Sequence, residues 1–380
     1  MATRCVGVRI GTSLTLLGIL GFGVLDSFPA SLHSLRPGHR VTAAGPAAAA
    51  PAVADALDLP QQSDGQRGAA AGLPDVASRD FERALRQQAD TDRAWREASR
   101  GFMRMEKILY RSRVGDLDIP AFVFQPLPSA PPATQPAIIW VHENVRGHLY
   151  EHFIPYVREA VRRGYVVFAP EYRGSIGYGE AFYDAIDYGG AEVDDVITAV
   201  SVLKARYVSV DPSRIGIIGW SHGGLIALLS AFRNPTGFRA AAAIVPVANL
   251  FQRFAWKGEE RLRAIIDPQN RLGGLPAERR AIYRERSPLF HVDELKIPLL
   301  VHIAENDEDV NIEEALPLVD ALRARKPSLA DTKVYARPAG GHLFDRRVDA
   351  RTLQPENTPE QMDSWNRVWR FFEVQLNSQR

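Results

Sequence analysis

The sequence predicts an α/β fold: a mostly parallel, doubly wound sheet with flanking helices. Three observations carry the prediction. From Met103 onward, short apolar runs alternate with segments of helical period. Several of those runs, 137–141 (AIIWV) and 240–245 (AAAAIV) among them, are apolar at every position, as strands buried on both faces are. Finally, 215–224 (IGIIGWSHGG) leaves an apolar run, crosses Gly-x-Ser-x-Gly and enters the helical pattern of 225–229. That is the strand, tight turn and helix of a nucleophile elbow.

The chain of 380 residues opens with Arg4 and Arg9, followed by a mainly apolar run over 10–25 that Asp26 ends. The run is short for a membrane span and fits the core of a signal peptide. Residues 1–30 are therefore expected to direct export, to the periplasm or beyond; the alternative is an N-terminal anchor in a membrane. Residues 31–74 are rich in Ala, Pro, Gly and Gln and read as a disordered tether, with too little bulky apolar surface to offset chain entropy. Residues 75–104 form a charged helical segment, expected at the surface, and the hydrolase-like domain is expected over 105–380. Within it, 108–113 and 121–125 alternate apolar and polar, as edge or hairpin strands do. Buried strands are expected at 137–141 and 165–169, with a helix over 153–161 between them. A helix over 192–205 and a strand over 214–219 lead to Ser221. Strands follow at 240–245, 298–304 and 332–336, with helices at 311–324 and 360–376. The segment 249–288, with Phe251, Phe254 and Trp256, is a candidate cover for the site.

Composition narrows the function. Lys plus Arg total 46 and Asp plus Glu 45, so a net charge of +1 gives no electrostatic reason to bind nucleic acid or an acidic surface. The single cysteine, Cys5, excludes an intramolecular disulfide and a cysteine-based metal site. No residue pattern calls for a cofactor.

Serine at its free pKa is a poor nucleophile and needs a base. Of nine histidines, His33 and His39 precede the domain, His291 lies upstream of a strand, and His302 lies inside one. His222 adjoins Ser221, where its backbone N–H is more useful than its ring. His342 follows the strand at 332–336 behind Gly340 and Gly341, which free the backbone to turn the ring; it is the expected base. The strand at 298–304 runs into Glu305-Asn306-Asp307-Glu308-Asp309, where Asp307 is the first choice and Asp309 the second for the carboxylate that orients the base. The order Ser221, Asp307, His342 is that of α/β-hydrolases. An oxyanion hole would combine the N–H of His222 with an amide after the third strand, from Glu143 or Asn144.

Several motifs together resemble the catalytic domain of the prolyl oligopeptidase family. They are Glu171-Tyr172-Arg173-Gly174-Ser175 running to Gly179, Gly189-Gly190 followed by Asp194-Asp195, the elbow at Gly219–Gly224, Ser287-Pro288 leading into Pro298, and Gly340-Gly341-His342. The resemblance implies an α/β-hydrolase fold and a serine hydrolase working through an acyl-enzyme, with Ser221 as nucleophile, Asp307 as orienter and His342 as base. It implies a small peptide as substrate; an ester on the same triad is the alternative. The sequence departs from the family twice. His142-Glu143-Asn144-Val145 stands where His-Gly-Gly-Pro is usual, and a carboxylate there would oppose developing negative charge unless paired, for which Arg146 is the expected partner. The hundred residues before the domain cannot form the β-propeller of the large family members.

Two rival readings remain. His148-Leu149-Tyr150-Glu151-His152 matches H-x-x-E-H, which on a helix would place His148 and His152 on one face to bind zinc and leave Glu151 as base. The other rival is a non-catalytic binding protein on the same scaffold; the complete triad weighs against it and Glu143 for it.

Overall fold

The computed structural model describes residues 79–257 and 272–377. The expected leader, the tether, the start of the charged segment and the middle of the candidate cover lie outside the described residues. Eight strands form one sheet: β1 (Met103–Arg111), β2 (Asp118–Pro126), β3 (Gln135–Val141), β4 (Val166–Pro170), β5 (Val210–Trp220), β6 (Ala240–Ile244), β7 (Leu299–Ala304) and β8 (Ala330–Tyr335). Their order is β1-β2-β4-β3-β5-β6-β7-β8. β2 runs antiparallel to both neighbours, and every other pairing is parallel. β1 starts earlier than its pattern predicted, because pairing of Met103 with Pro126 recruits an edge whose charged residues blur the alternation.

Alternation sorts the central strands onto two cores. Ile139 and Val141 of β3 and Ile215 and Ile217 of β5 face one, under helices α4 (Ala191–Arg206) and α5 (His222–Arg233). Trp140 and Trp220 face the other, with side chains from α1 (Phe81–Ser99), α2 (Ile154–Arg162) and α9 (Pro359–Phe372). That second core is aromatic. Trp140 lies 4.8 Å from Trp220 and 5.9 Å from Trp365, and Trp365 lies 4.9 Å from Trp369, centroid to centroid.

The charged segment becomes α1, started by Asp80 accepting from Arg83 N–H at 2.8 Å. Most of α1 faces water, but Trp95 is fully buried against Phe124 and donates from Nε1 to Leu149 O at 2.9 Å. The closing helix is α-helical to Phe372 and then widens into a π-turn over Glu373–Asn377. Between β4 and β7 lie the short helices α3 (Glu180–Tyr183), α6 (Leu250–Lys257) and α7 (Arg280–Glu285), and after β7 comes α8 (Ile312–Arg325). Among the described residues, no helix is long and apolar enough to cross a membrane.

β3 neighbours β4 on one side and β5 on the other, so connections leave it in opposite directions, and such a switch opens a crevice at the carboxyl ends of the strands. Register aligns those ends: Val141 pairs with Gly219, Trp220 with Ile244, and Ala304 with Tyr335. The residues that follow β3, β5, β7 and β8 therefore emerge along one edge.

Candidate active site

Ser221 follows β5 with φ 53° and ψ −118°, a conformation unfavourable for a side chain by about 1–3 kcal/mol. The surroundings enforce it. Ser221 N–H donates to Ile244 O at 3.1 Å, and Ser221 O accepts from Leu225 and Val247 N–H at 3.0 and 3.1 Å. A methyl on Gly219 would lie 2.1 Å from Gly223 O, and one on Gly223 would lie 2.2 Å from His142 O. Only glycine lets the turn close and lets helix α5 sit this near the loop after β3. Being in the first turn of α5, His222 N–H has no intrahelical acceptor and belongs to the positive end of the helix.

Asp307 and His342 follow β7 and β8, and their side chains meet: His342 Nδ1 lies 2.7 Å from Asp307 Oδ2. Asp307 Oδ1 accepts from Asp309 and Val310 N–H at 2.8 and 2.7 Å. Burial alone would raise the Asp307 pKa, but His342 and these two amides hold it below the usual carboxylate range. An ionised carboxylate only accepts, so Nδ1 carries the ring proton and Nε2 is the basic nitrogen. Gly340 and Gly341 take φ of 93° and 50°, and Asn306 Nδ2 donates to Pro338 O at 3.1 Å, joining the two loops. Asp309, the second choice, supports this contact through its backbone N–H, and its carbonyl accepts from Arg253 Nη1 at 3.2 Å; the carboxylate against the His342 ring is that of Asp307.

After β3, Glu143 is buried and bonded to Arg346, with His152 Nε2 at 3.3 Å on its other oxygen. Burial pushes the Glu143 pKa up; Arg346 and His152 outweigh it and hold the group well below the usual range. The expected partner, Arg146, turns elsewhere: its guanidinium stacks 3.7 Å over the Tyr183 ring and donates to Tyr183 O. Arg346 already occupies the Glu143 carboxylate, and the Arg146 guanidinium is satisfied instead by the ring and carbonyl of Tyr183. Asn144 takes φ 68° and donates to Tyr150 Oη at 3.0 Å, while Tyr172 Oη donates to Asn144 O at 2.6 Å.

The H-x-x-E-H segment does not form the helix that a zinc site requires. His148 lies in a loop, Glu151 begins a single 3-10 turn and bonds Thr91, and His152 faces Glu143. Among the described residues, no group of three or more His, Asp, Glu or Cys is placed to hold a metal ion. His142, His222 and His302 are buried and packed. His142 bridges Glu143 O and Ser175 Oγ at 2.8 and 3.0 Å, with burial lowering its pKa to about 4. His222 Nε2 lies 3.2 Å from the buried Glu192, and His302 Nδ1 lies 2.9 Å from Ser364 Oγ. Of the candidate cover, Phe254 is buried against Tyr283, and Phe251 packs on Tyr283 and Phe290.

Sequence reasoning missed Arg346 and Asp345. Arg346 Nη1 donates to His342 O and to Asp345 Oδ1, both at 2.8 Å, and Asp345 Oδ2 accepts from Trp220 Nε1 at 2.6 Å. No motif marks either residue; the nearest signal is a charged pair immediately after the histidine loop.

Residues 152–378, more than half of the chain, match the model of the prolyl oligopeptidase family. The chain is similar to the uncharacterized peptidase YuxL of Bacillus subtilis (28% identical, 63% of this chain and 36% of the relative). It is also similar to dipeptidyl aminopeptidase BIII of Pseudoxanthomonas mexicana (29% identical, 56% and 31%). Among solved structures, a puromycin-hydrolyzing peptidase of Mycobacterium tuberculosis superposes with a TM-score of 0.57 at 25% identity, over 72% of this chain and 40% of that one. The chain thus spans about a third of the length of these curated relatives.

Proposed function

The chain belongs to the prolyl oligopeptidase family, and we propose that it is a serine peptidase that cleaves small peptides through an acyl-enzyme. The observation that carries this reading is the 2.7 Å contact between His342 Nδ1 and Asp307 Oδ2, in loops leaving the same sheet edge as Ser221. His342 Nε2 takes the proton of Ser221 as its oxygen attacks the carbonyl, then returns it to the leaving amine. Asp307 fixes the tautomer and stabilises the imidazolium. The N–H of His222 and an amide of Glu143 or Asn144 receive the oxyanion; losing one such donor costs about 3 kcal/mol of barrier. Water, activated by the same histidine, then releases the acyl group.

The test is a panel of short peptide amides and aryl esters with Ser221→Ala and His342→Ala as controls. Amide cleavage that falls by about 10³-fold or more in each variant is expected. Ester cleavage alone would replace the peptidase by an esterase, and retention of the wild-type rate in either variant would remove the mechanism. On the sequence pattern alone, residues 1–30 are proposed to direct export. The mass of the protein recovered from outside the cytoplasm tests this: the uncut chain there would contradict cleavage.

A further inference from the structure

Three loops must keep register for a triad on this fold to work: the turn after β3, the elbow after β5 and the histidine loop after β8. They meet at one guanidinium. Arg346, buried to about 1% exposure, directs Nε and Nη2 at Glu143 and shares Nη1 between His342 O and Asp345 Oδ1 at 2.8 Å each. Asp345 extends the tie to the elbow by accepting from Trp220 Nε1 at 2.6 Å, and its own carbonyl accepts from Trp365 Nε1 at 2.6 Å. The charges are one cation and two carboxylates, all buried. Retaining such a buried group requires a specific arrangement of partners, because breaking it would leave a buried charge unpaired.

We propose that Arg346 is a positioning residue, which locks the loop after β3, the nucleophile elbow and the histidine loop together by dividing its guanidinium among Glu143, Asp345 and His342 O. The planar fork suits this task; an ammonium is a point charge and cannot hold three acceptors in fixed directions. The proposal explains why a carboxylate is tolerated beside the expected oxyanion hole. Glu143 is the anchor of the loop, and its charge is spent on Arg346 and His152. This reading rests on the serine hydrolase proposed above and deepens it.

Glu143→Gln is the informative variant, since Arg346 keeps Asp345 as its counter-ion and the fold should survive. In the full chain, fluorophosphonate labelling of Ser221 should remain stoichiometric but slow by roughly 10- to 100-fold, the scale of a small misplacement of reacting groups. The loss should fall on the maximal rate of labelling rather than on the affinity for the fluorophosphonate, because the reacting groups, and not the contacts that hold the reagent, are displaced. Hydrogen exchange should quicken together in 142–147, 219–223 and 340–347. Arg346→Lys, which retains the charge but not the fork, should be slowed as well. Wild-type rate in Glu143→Gln, a loss there confined to affinity, or wild-type rate in Arg346→Lys would overturn the proposal. If the wild-type chain is not labelled at all, the serine hydrolase reading fails, and hydrogen exchange alone then decides the lock: unchanged exchange in Glu143→Gln overturns it.

Discussion

Asp307 and Glu143 are both carboxylates more than nine-tenths buried, both directly follow or nearly follow a parallel strand, and both are held ionised, but by different means. Asp307 is oriented by amides two and three residues further along its own loop, and by His342. Glu143 depends on Arg346, 203 residues away in the chain. Glu171 supplies the third case. It accepts from Leu149 N–H at 2.7 Å with no cation bonded to it, and burial pushes its pKa to about 8. Burial by itself raises the pKa of a carboxyl group; what offsets it for Asp307 and Glu143 is the partner, which comes from the local loop or from across the fold.

The sharpest way to break the comparison is Asp307→Asn. It preserves shape and removes the charge that fixes the histidine tautomer, so kcat should fall by about 10³- to 10⁴-fold in steady-state assays. Asp309→Asn, two residues further on, should cost less than about tenfold, because it is the backbone N–H of Asp309 that supports Asp307 and the substitution retains it. Equal losses would mean that the loop, rather than one carboxylate, orients His342.

Acid titration of stability compares the two ionised groups directly. Each has a folded-state pKa below its unfolded value, so each contributes stability that is present above the unfolded carboxylate pKa, near 4, and lost as pH falls through the depressed one. Glu143→Gln should therefore make the acid limb of thermal unfolding shallower, as read by calorimetry between about pH 2 and 5. Glu171 has the opposite sign. Its raised pKa means that stability is lost as pH climbs from the unfolded value toward about 8. Glu171→Gln should then raise the melting temperature more at pH 8 than at pH 5. A uniform rise would show that the carboxyl is already ionised in the folded protein. The smallest effect on rate should come from Trp220→Phe, which keeps one aromatic ring but removes the rest of the buried indole and its bond to Asp345. A few-fold drop in rate is expected, with a stability loss of about 2–4 kcal/mol because a cavity adds to the lost bond.

The same division decides how much could be read from the sequence. The elbow is largely local: Gly219 is needed by Gly223 four residues on, and although Gly223 is needed by the distant His142 O, the Gly-x-Ser-x-Gly pattern shows both. His342 was legible because two glycines at positive φ precede it, and Asp307 because it ends an apolar strand. The central parallel strands announce themselves through burial on both faces. The edge strand β1 begins five residues before its expected start, because a partner rather than its own pattern defines it. Nothing in the charged helical pattern singles out Trp95; the sheet beneath it makes it core. No motif marks Arg346, and Arg146, nearer in sequence, was the expected match for Glu143. Proximity along the chain carries no information about a side chain whose direction is set by a tertiary contact.

Of six tryptophans in the chain, four form one aromatic cluster, and one of them, Trp220, immediately precedes Ser221. Indoles this close couple electronically, and Trp220 donates its N–H to a carboxylate of the Arg346 network. Part of the near-ultraviolet circular dichroism and intrinsic emission of this protein should thus arise beside Ser221. A change in that signal on acylation of Ser221 would report the reaction in the protein's own light, without a chromogenic substrate.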